Sequence, residues 1–194
     1  GRDGPFDPPG LEQPAELVVQ GLELPVVRRD VKAQDEAPVD VDVGGVAYRE
    51  SEHEQPGDEI VLGHAGDVPV GMTVCYDLRF PELYRILAVR GARVLVVPSA
   101  FTLDTGKDHW EVLLRARAIE NSAFVLAPNE VGAAPPHYRS YGRSMILDPW
   151  GVVLATAPDE ECFVAAELDF ALQDRIRESL PSLANRRPES SAWP

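Results

Sequence analysis

The stretch that decides the fold is VGMTVCYDLRFPELY, at Val70–Tyr84. Apolar side chains alternate with small ones in its first five residues, which predicts a strand over Val70–Val74. The alternation stops at Cys75, and Pro81 stands where a helix can begin, because the fixed φ of proline suits the first helical position. Apolar residues then recur at helical spacing and predict a helix over Pro81–Arg90. The sequence therefore places a cysteine in the turn between a strand and a helix.

A cysteine in such a turn has two interpretations. The turn exposes the sulfur, and free backbone N–H groups nearby favour a thiolate and hold a developing oxyanion, which makes Cys75 a candidate nucleophile. A buried structural thiol is the alternative, because free cysteines are among the most buried residue types. Local geometry leaves both interpretations open.

The composition excludes several classes of partner. The 194 residues are 44% hydrophobic and 26% charged, which is typical of one globular domain. The net charge of −14 argues against nucleic acid and against an anionic membrane surface, since both need a basic face. No apolar run approaches the length of a transmembrane span. We therefore expect neither nucleic acid nor a membrane as a partner.

Cysteine and histidine usage bounds the compartment and the cofactors. Two cysteines, Cys75 and Cys162, do not make a disulfide framework, so we expect a reducing, cytoplasmic setting. No apolar segment follows Gly1–Pro5, which predicts that this stretch is not a signal peptide. The four histidines lack metal-ligand spacing, and no phosphate loop or dinucleotide fingerprint is present. We predict no metal and no cofactor.

The chain divides into two regions of different pattern. Residues 1–38 have few strand signals and many prolines and acidic residues, so we expect an atypical, poorly specified segment. From residue 39 strands and helices alternate, which predicts a layered α/β domain over 39–194. The predicted helix Trp110–Asn121 has an apolar stripe at positions 112, 113, 116 and 119. The other predicted elements are strands at Glu59–Leu62, Arg93–Pro98, Ala123–Ala127, Ser144–Leu147, Val152–Thr156 and Phe163–Leu168, a turn at Gly66-Asp67 and a helix at Leu172–Leu180.

Several ordered motifs carry a resemblance to a known family. VCYDLRFPELYR at 74–85, VPSAF at 97–101, HWEVLLRARAIEN at 109–121 and YGRSMILDPWG at 141–151 resemble the nitrilase (carbon–nitrogen hydrolase) superfamily in order and spacing. DVDVGGVAYRES at 40–51 and SLPSLANRRPE at 179–189 resemble its deaminated-glutathione amidase and omega-amidase branch. The resemblance covers residues 39–189. It implies an αββα sandwich, incomplete here at the N-terminus, and commonly a homo-oligomer.

The resemblance also implies a chemistry. Such enzymes hydrolyse a small non-peptide amide through a cysteine thioester and release ammonia, with a glutamate base, a lysine, a second glutamate and no organic cofactor. Mapped onto this chain, Cys75 is the nucleophile and the Tyr76 backbone N–H is an oxyanion donor. Glu50, seven residues before Gly57, takes the place of the second glutamate. A solvated loop carboxylate is the alternative for Glu50.

The N-terminal region departs from the family pattern. No residue in 1–38 matches the context of the base glutamate, and Asp35 stands where the lysine is expected. Lys32 is the candidate replacement, although a surface lysine is the usual role of such a residue. A truncated or frame-disrupted gene would explain these departures together. The second hypothesis is therefore a catalytically impaired remnant of the fold, or an interaction subunit built on it.

Five residues are candidates for substrate binding. Phe101 and Thr105 lie in the predicted loop after the VPSA strand, where α/β sheets bind ligands, although an ordinary surface loop is an equal alternative. Trp110 and Asn129 frame the same region, and a core role is the alternative for the tryptophan. Arg79 suits bidentate binding of a substrate carboxylate, with an ion pair to Glu82 or Asp77 as the alternative.

Overall fold

The computed structural model describes residues 40–43, 46–49, 59–134 and 138–190. Two short strands, β1 (Asp40–Val43) and β2 (Val46–Arg49), pair antiparallel at its start. Lys32 and Glu50 lie outside the described residues, as does the whole of the segment 1–38 that was predicted to be poorly specified.

The centre of the fold is a six-stranded mixed sheet. Its strands are β3 (Leu62–Ala65), β4 (Val68–Met72), β5 (Val94–Val96), β6 (Phe124–Ala127), β9 (Met145–Leu147) and β10 (Val153–Thr156). They lie in the order β10-β9-β6-β5-β4-β3, and the β4–β5 and β5–β6 pairs are parallel. A separate hairpin of β7 (Val131–Ala134) and β8 (Tyr138–Tyr141) follows β6.

Within the described residues three α-helices accompany the sheet: α1 (Pro81–Val89), α2 (Leu103–Asn121) and α3 (Phe170–Ser179). A 3-10 helix, Cys75–Arg79, joins β4 to α1 and is called the elbow turn below. The α/β class predicted from the alternation of elements is thus confirmed. In the described part of the chain α1 and α2 pack on one face of the six-stranded sheet.

The run Arg93–Pro98 was predicted to be a strand buried on both faces, and the structure confirms it. Leu95 joins the core between the sheet and α1 and α2, where Leu87 and Leu114 are fully buried. Val94 and Val96 face the other way and pack with Val70 and Phe124. A strand covered on both sides has no exposed face, so it has no polar alternation.

The hairpin before the elbow turn keeps its predicted turn but shifts its strands. Gly66 adopts φ +58°, a conformation that favours glycine, and Ala65 pairs with Val68 across the turn. This register makes Leu62–Ala65 the strand, whereas Glu59–Leu62 was predicted. Register follows the turn, so the strand runs up to Ala65 and includes the exposed His64, whereas the apolar pattern ended it at Leu62.

Helix α2 begins seven residues before the predicted Trp110. The carbonyl of Thr102 accepts the amide of Gly106 at 2.8 Å, and Gly106 lies so close to the ring of Tyr141 that a Cβ there would be 2.4 Å from its Cγ. The first turns of α2 are therefore held by β8 rather than by an apolar stripe. Thr105 lies in this helix and not in a loop, which corrects its predicted setting.

The predicted apolar stripe of α2 is right only in part, since Leu113 packs against the core but two of its other members do not. Val112 and Ile119 are 65% and 48% exposed. The buried residues of α2 recur at helical spacing on another face and include two polar side chains. They are Gly106, Trp110, Leu114, Arg117, Ala118 and Asn121.

The prediction for the C-terminal part is half right. Helix α3 is confirmed, beginning at Phe170 with Asp169 accepting the amide of Leu172 at 2.9 Å. The predicted strand Phe163–Leu168 forms no strand in the described part of the chain. Burial alternates along this segment, with Leu168 packed on the sheet and Phe163 91% exposed. The two-residue period of a strand is therefore present, but the segment pairs with no described strand.

Candidate active site

Cys75 opens the elbow turn in a backbone conformation that side chains rarely adopt. Its φ is +44°, in the left-handed region, which costs a residue with a Cβ about 1–2 kcal/mol. The Cys75 amide donates to the Pro98 carbonyl at 2.8 Å, and the Val74 amide donates to Asp77 Oδ2 at 2.9 Å. Such strain persists where surrounding structure imposes it, most often at functional sites. The predicted strand-to-helix turn is therefore present, and Cys75 is half-buried in it.

The Tyr76 backbone N–H was predicted to hold an oxyanion. Tyr76 is the second residue of the 3-10 helix, and the first amides of a helix have no acceptor within it. In the described part of the chain the amide of Cys75 donates to Pro98 and that of Asp77 donates to Val74, whereas no acceptor is described for the Tyr76 amide. This geometry leaves a donor beside the cysteine.

Arg79 closes the elbow turn between two aromatic rings. Its guanidinium carbon lies 5.5 Å from the ring centroid of Tyr76 and 5.1 Å from that of Phe101. Its Nη1 donates to Nδ1 of His109 at 3.3 Å, which requires the His109 proton on Nε2. The alternative for Arg79, an ion pair with Glu82 or Asp77, stays a prediction beside these contacts.

Phe101 is tied to the end of β6 by Asn129. Its amide donates to Asn129 Oδ1 at 2.8 Å, and Asn129 Nδ2 donates to the Gly142 carbonyl at 2.6 Å. Asn129 is 8% exposed and also lines a cleft of about 340 Å³ with Glu130, Arg143 and other residues. Asn129 thus links the loop after β5 with the segment after β8.

Trp110 and Thr105 support this region from α2. The Trp110 ring lies 5.1 Å from that of Phe101 and is fully buried, and its Nε1 donates to the Arg143 carbonyl at 2.8 Å. The Thr105 hydroxyl is 2.8 Å from that of Thr102. The burial of Trp110 favours a supporting role beneath Phe101 over direct contact with a substrate.

The structure therefore brings several candidates into one connected group at the carboxyl ends of parallel strands: Tyr76, Arg79, Phe101, Trp110 and Asn129. Parallel strands place their carboxyl ends at one edge of a sheet, where ligands bind. His109 was not among the predicted site residues, because its partner Arg79 lies 30 residues away and leaves no local signal in the sequence. The predictions for Glu50 and Lys32 remain predictions, since both lie outside the described residues.

Neither a metal-binding cluster nor a membrane-spanning helix is found among the described residues. No group of three or more His, Cys, Asp or Glu side chains there is placed to hold a metal ion. Among the helices of the described part, none has the length and apolar content to cross a membrane.

Comparison with known proteins places these features in a family. Residues 37–178 match the family Carbon-nitrogen hydrolase. The chain is 50% identical over 117 residues to "Deaminated glutathione amidase" of Synechocystis sp., covering 60% of this chain and 43% of that protein. It is 40% identical over 151 residues to "Omega-amidase NIT2" of Bos taurus, covering 77% and 55% respectively. The chain thus spans about half the length of the curated relatives it matches.

Solved structures agree with this placement. The NitFhit protein of C. elegans has a TM-score of 0.70 and 43% identity, covering 77% of this chain and 37% of that one. An amidase mutant from Nesterenkonia sp. AN1, with the acetamide moiety of fluoroacetamide added covalently at its active-site cysteine, has a TM-score of 0.60 and 27% identity, covering 73% and 50%. The chain belongs to the carbon–nitrogen hydrolase family.

Proposed function

We propose that this chain acts as an amidase that hydrolyses the C–N bond of a small amide through a thioester on Cys75. The observation that carries the proposal is the left-handed backbone of Cys75 at the start of the elbow turn, with the Tyr76 amide beside it. Strain of this kind is retained where a side chain must be presented. The names of the curated relatives and the cysteine adduct of the Nesterenkonia enzyme support the same chemistry.

The reaction has two half-reactions. The Cys75 sulfur attacks the amide carbon, a carboxylate base takes the thiol proton, and the Tyr76 N–H donates to the oxyanion. The C–N bond breaks, the proton passes to the leaving nitrogen, and ammonia departs from a thioester. Water then adds to the thioester, the C–S bond breaks, and the acid leaves. Glu50 is the proposed second carboxylate of the site and Lys32 the proposed cation.

We propose a substrate with a carboxylate at the end distant from the amide, such as a small ω-amide or a deaminated-glutathione-like amide. Arg79 supports this class, because its fork of N–H donors suits a carboxylate and the rings of Tyr76 and Phe101 hold it in place. The proposed binding region also includes Thr105, Trp110 and Asn129. Trp110 packs against the Phe101 ring, and Asn129 holds the Phe101 backbone amide, so both fix the ring that lies beside Arg79.

The second candidate is a protein that keeps the fold without the full catalytic set. The observation in its favour is Asp35 at the position expected for the lysine, with no match for the base glutamate in residues 1–38. A homo-oligomeric, cytoplasmic protein without nucleic-acid or membrane partners stays our expectation for either candidate.

Ammonia release distinguishes the two candidates. The purified chain is incubated with α-ketoglutaramate and with uncharged small amides, beside Cys75→Ala and the matched control Cys162→Ala, since Cys162 is the other, exposed cysteine. The proposal predicts release by the wild type and by Cys162→Ala, and none above background by Cys75→Ala. Equal release by all three proteins, or none by any, would contradict it.

A further inference from the structure

A buried chain of hydroxyl groups reaches the strand end just before Cys75. Thr73 is 3% exposed and Tyr84 is fully buried. Thr73 Oγ1 lies 2.8 Å from the Val96 carbonyl oxygen and 2.8 Å from the Tyr84 hydroxyl. The single hydroxyl proton of Thr73 goes to Val96, so Tyr84 donates to Thr73. The residue two positions before the cysteine is thereby fixed to β5 and to α1.

A second buried side chain holds the other end of the elbow turn. Arg117, with a side chain 5% exposed, donates from Nε and Nη2 to the Leu78 carbonyl at 3.1 and 2.7 Å. Its guanidinium carbon lies 5.3 Å from the centroid of the Tyr84 ring, and its Nη1 pairs with Glu120 at 3.0 Å. Arg117 and Tyr84 therefore contact each other while each holds one end of the segment that carries Cys75.

Hydrophobic packing alone does not explain these residues. A buried arginine and a buried tyrosine hydroxyl are retained only with their hydrogen bonds made. Burial raises the pKa of Tyr84 well above its ordinary value, so the hydroxyl keeps its proton and stays a donor. The Tyr84 hydroxyl bonds to Thr73 and Arg117 bonds to the Leu78 carbonyl, so the two buried groups hold residues two and three positions away from the strained cysteine.

We propose that Tyr84 and Arg117 are positioning residues that, through Thr73 and the Leu78 carbonyl, hold Cys75 in its left-handed conformation for attack. The inference rests on the proposed function, because it takes Cys75 as the nucleophile. In the described part of the chain no hydrogen bond or ring contact joins Tyr84 or Arg117 to the residues proposed to bind the substrate, so we expect an effect on the placement of sulfur and not on binding.

The test removes one hydroxyl at a time. Tyr84→Phe deletes the donor, Thr73→Val deletes the acceptor with its shape kept, and Thr73→Ser restores a hydroxyl. Thr156→Val, at an exposed position of the edge strand β10, is the matched control. We expect kcat for amide hydrolysis to fall about tenfold in Tyr84→Phe and Thr73→Val with KM within twofold, and Thr73→Ser to keep most of the activity.

A second readout does not need turnover. Chloroacetamide alkylates both cysteines, and mass spectrometry follows each one, with Cys162 as the internal control thiol. We expect alkylation of Cys75 to slow about tenfold in Tyr84→Phe and Thr73→Val while that of Cys162 is unchanged. If the wild type releases no ammonia, the proposed function fails, and the Cys75-to-Cys162 ratio still decides this inference.

Several results would overturn the inference. One is an unchanged kcat and an unchanged Cys75 alkylation rate in folded Tyr84→Phe and Thr73→Val. Another is a loss that follows only the folded fraction measured by near-UV circular dichroism, or a Thr73→Ser variant as slow as Thr73→Val. If Tyr84→Phe does not fold, the Thr73→Val and Thr73→Ser pair gives the same decision.

Discussion

Asn129→Ala should destabilise the protein by about 2–6 kcal/mol, although it removes only a small polar side chain. Its Oδ1 accepts the Phe101 amide at 2.8 Å and its Nδ2 donates to the Gly142 carbonyl at 2.6 Å, and both bonds are buried. Alanine leaves two buried backbone groups without a partner, at about 1–3 kcal/mol each. The sum is a large fraction of the stability of an ordinary domain, which is about 5–15 kcal/mol.

Urea unfolding followed by tryptophan fluorescence measures this loss. With a slope of about 2 kcal/mol per molar urea, the midpoint should fall by about 1–3 M. Asn185→Ala is the matched control, because Asn185 is exposed and no side-chain hydrogen bond of it is described. Its effect should stay within about 0.5 kcal/mol.

Asn129→Asp separates the two hydrogen bonds. At pH 7 the carboxylate still accepts the Phe101 amide, but it is a buried charge that faces the Gly142 carbonyl without a proton, so the loss should be at least as large as that of Asn129→Ala. Protonation restores the donor, and the deficit relative to wild type should shrink as the pH falls toward 4. An Asn129→Ala loss below 1 kcal/mol, or Asn129→Asp equal to wild type at pH 7, would refute the reasoning.

Three further predictions concern other parts of the molecule. Arg79→Gln should raise KM about 10–100-fold for amides that carry a carboxylate, because a charge-assisted hydrogen bond contributes about 1.5–3 kcal/mol. The KM for uncharged amides should stay within about twofold, and steady-state kinetics on both classes will check this. Gly106→Ala should lower the free energy of unfolding in a urea titration by about 1–3 kcal/mol, since its Cβ would lie 2.4 Å from Tyr141 Cγ. Gly63→Ala is the control and should cost little, because the nearest contact of its Cβ would be at 3.9 Å. Burial raises the pKa of Tyr84 above its unfolded value near 10, so the folded state holds this proton more tightly, and stability should fall as the pH rises above about 10. Tyr84→Phe should reduce that alkaline loss in a pH series of thermal melts, and an identical slope in both proteins would contradict the assignment.

The sequence predicted those elements whose burial follows a simple period. The continuous apolar run around Leu95 indicated a strand covered on both faces, and Pro81 marked the first residue of α1. The apolar period gave a wrong strand where hydrogen bonding to a neighbouring strand, and not burial, decides the structure. Val164, Ala166 and Leu168 alternate in burial with their neighbours as a strand would, yet the segment joins no sheet in the described part of the chain.

The site was predictable as a set of separate residues and not as an arrangement. The turn around Cys75 could be inferred from local pattern, because a strand signal ends there and a helix signal begins six residues later. The contacts of Arg79 with Phe101 and His109 join residues 22 and 30 positions apart, and no local pattern encodes such distances. Chain topology brings them together, since the loop after β5 and the start of α2 meet the elbow turn.

The partly misassigned stripe of α2 shows why site and fold prediction fail at the same positions. Apolar residues at 112 and 119 indicated one buried face, but the helix instead buries Arg117 and Asn121 and leaves Val112 and Ile119 exposed. Arg117 is inside because the Leu78 carbonyl, three residues after Cys75, accepts two of its N–H groups. A buried cation costs free energy unless its donors are satisfied, so the elbow turn acts together with the apolar residues Trp110, Leu114 and Ala118 in selecting this face. Hydrophobic patterning counts only apolar side chains, so it can assign the wrong face where a helix also holds the backbone of a strained cysteine with a buried arginine.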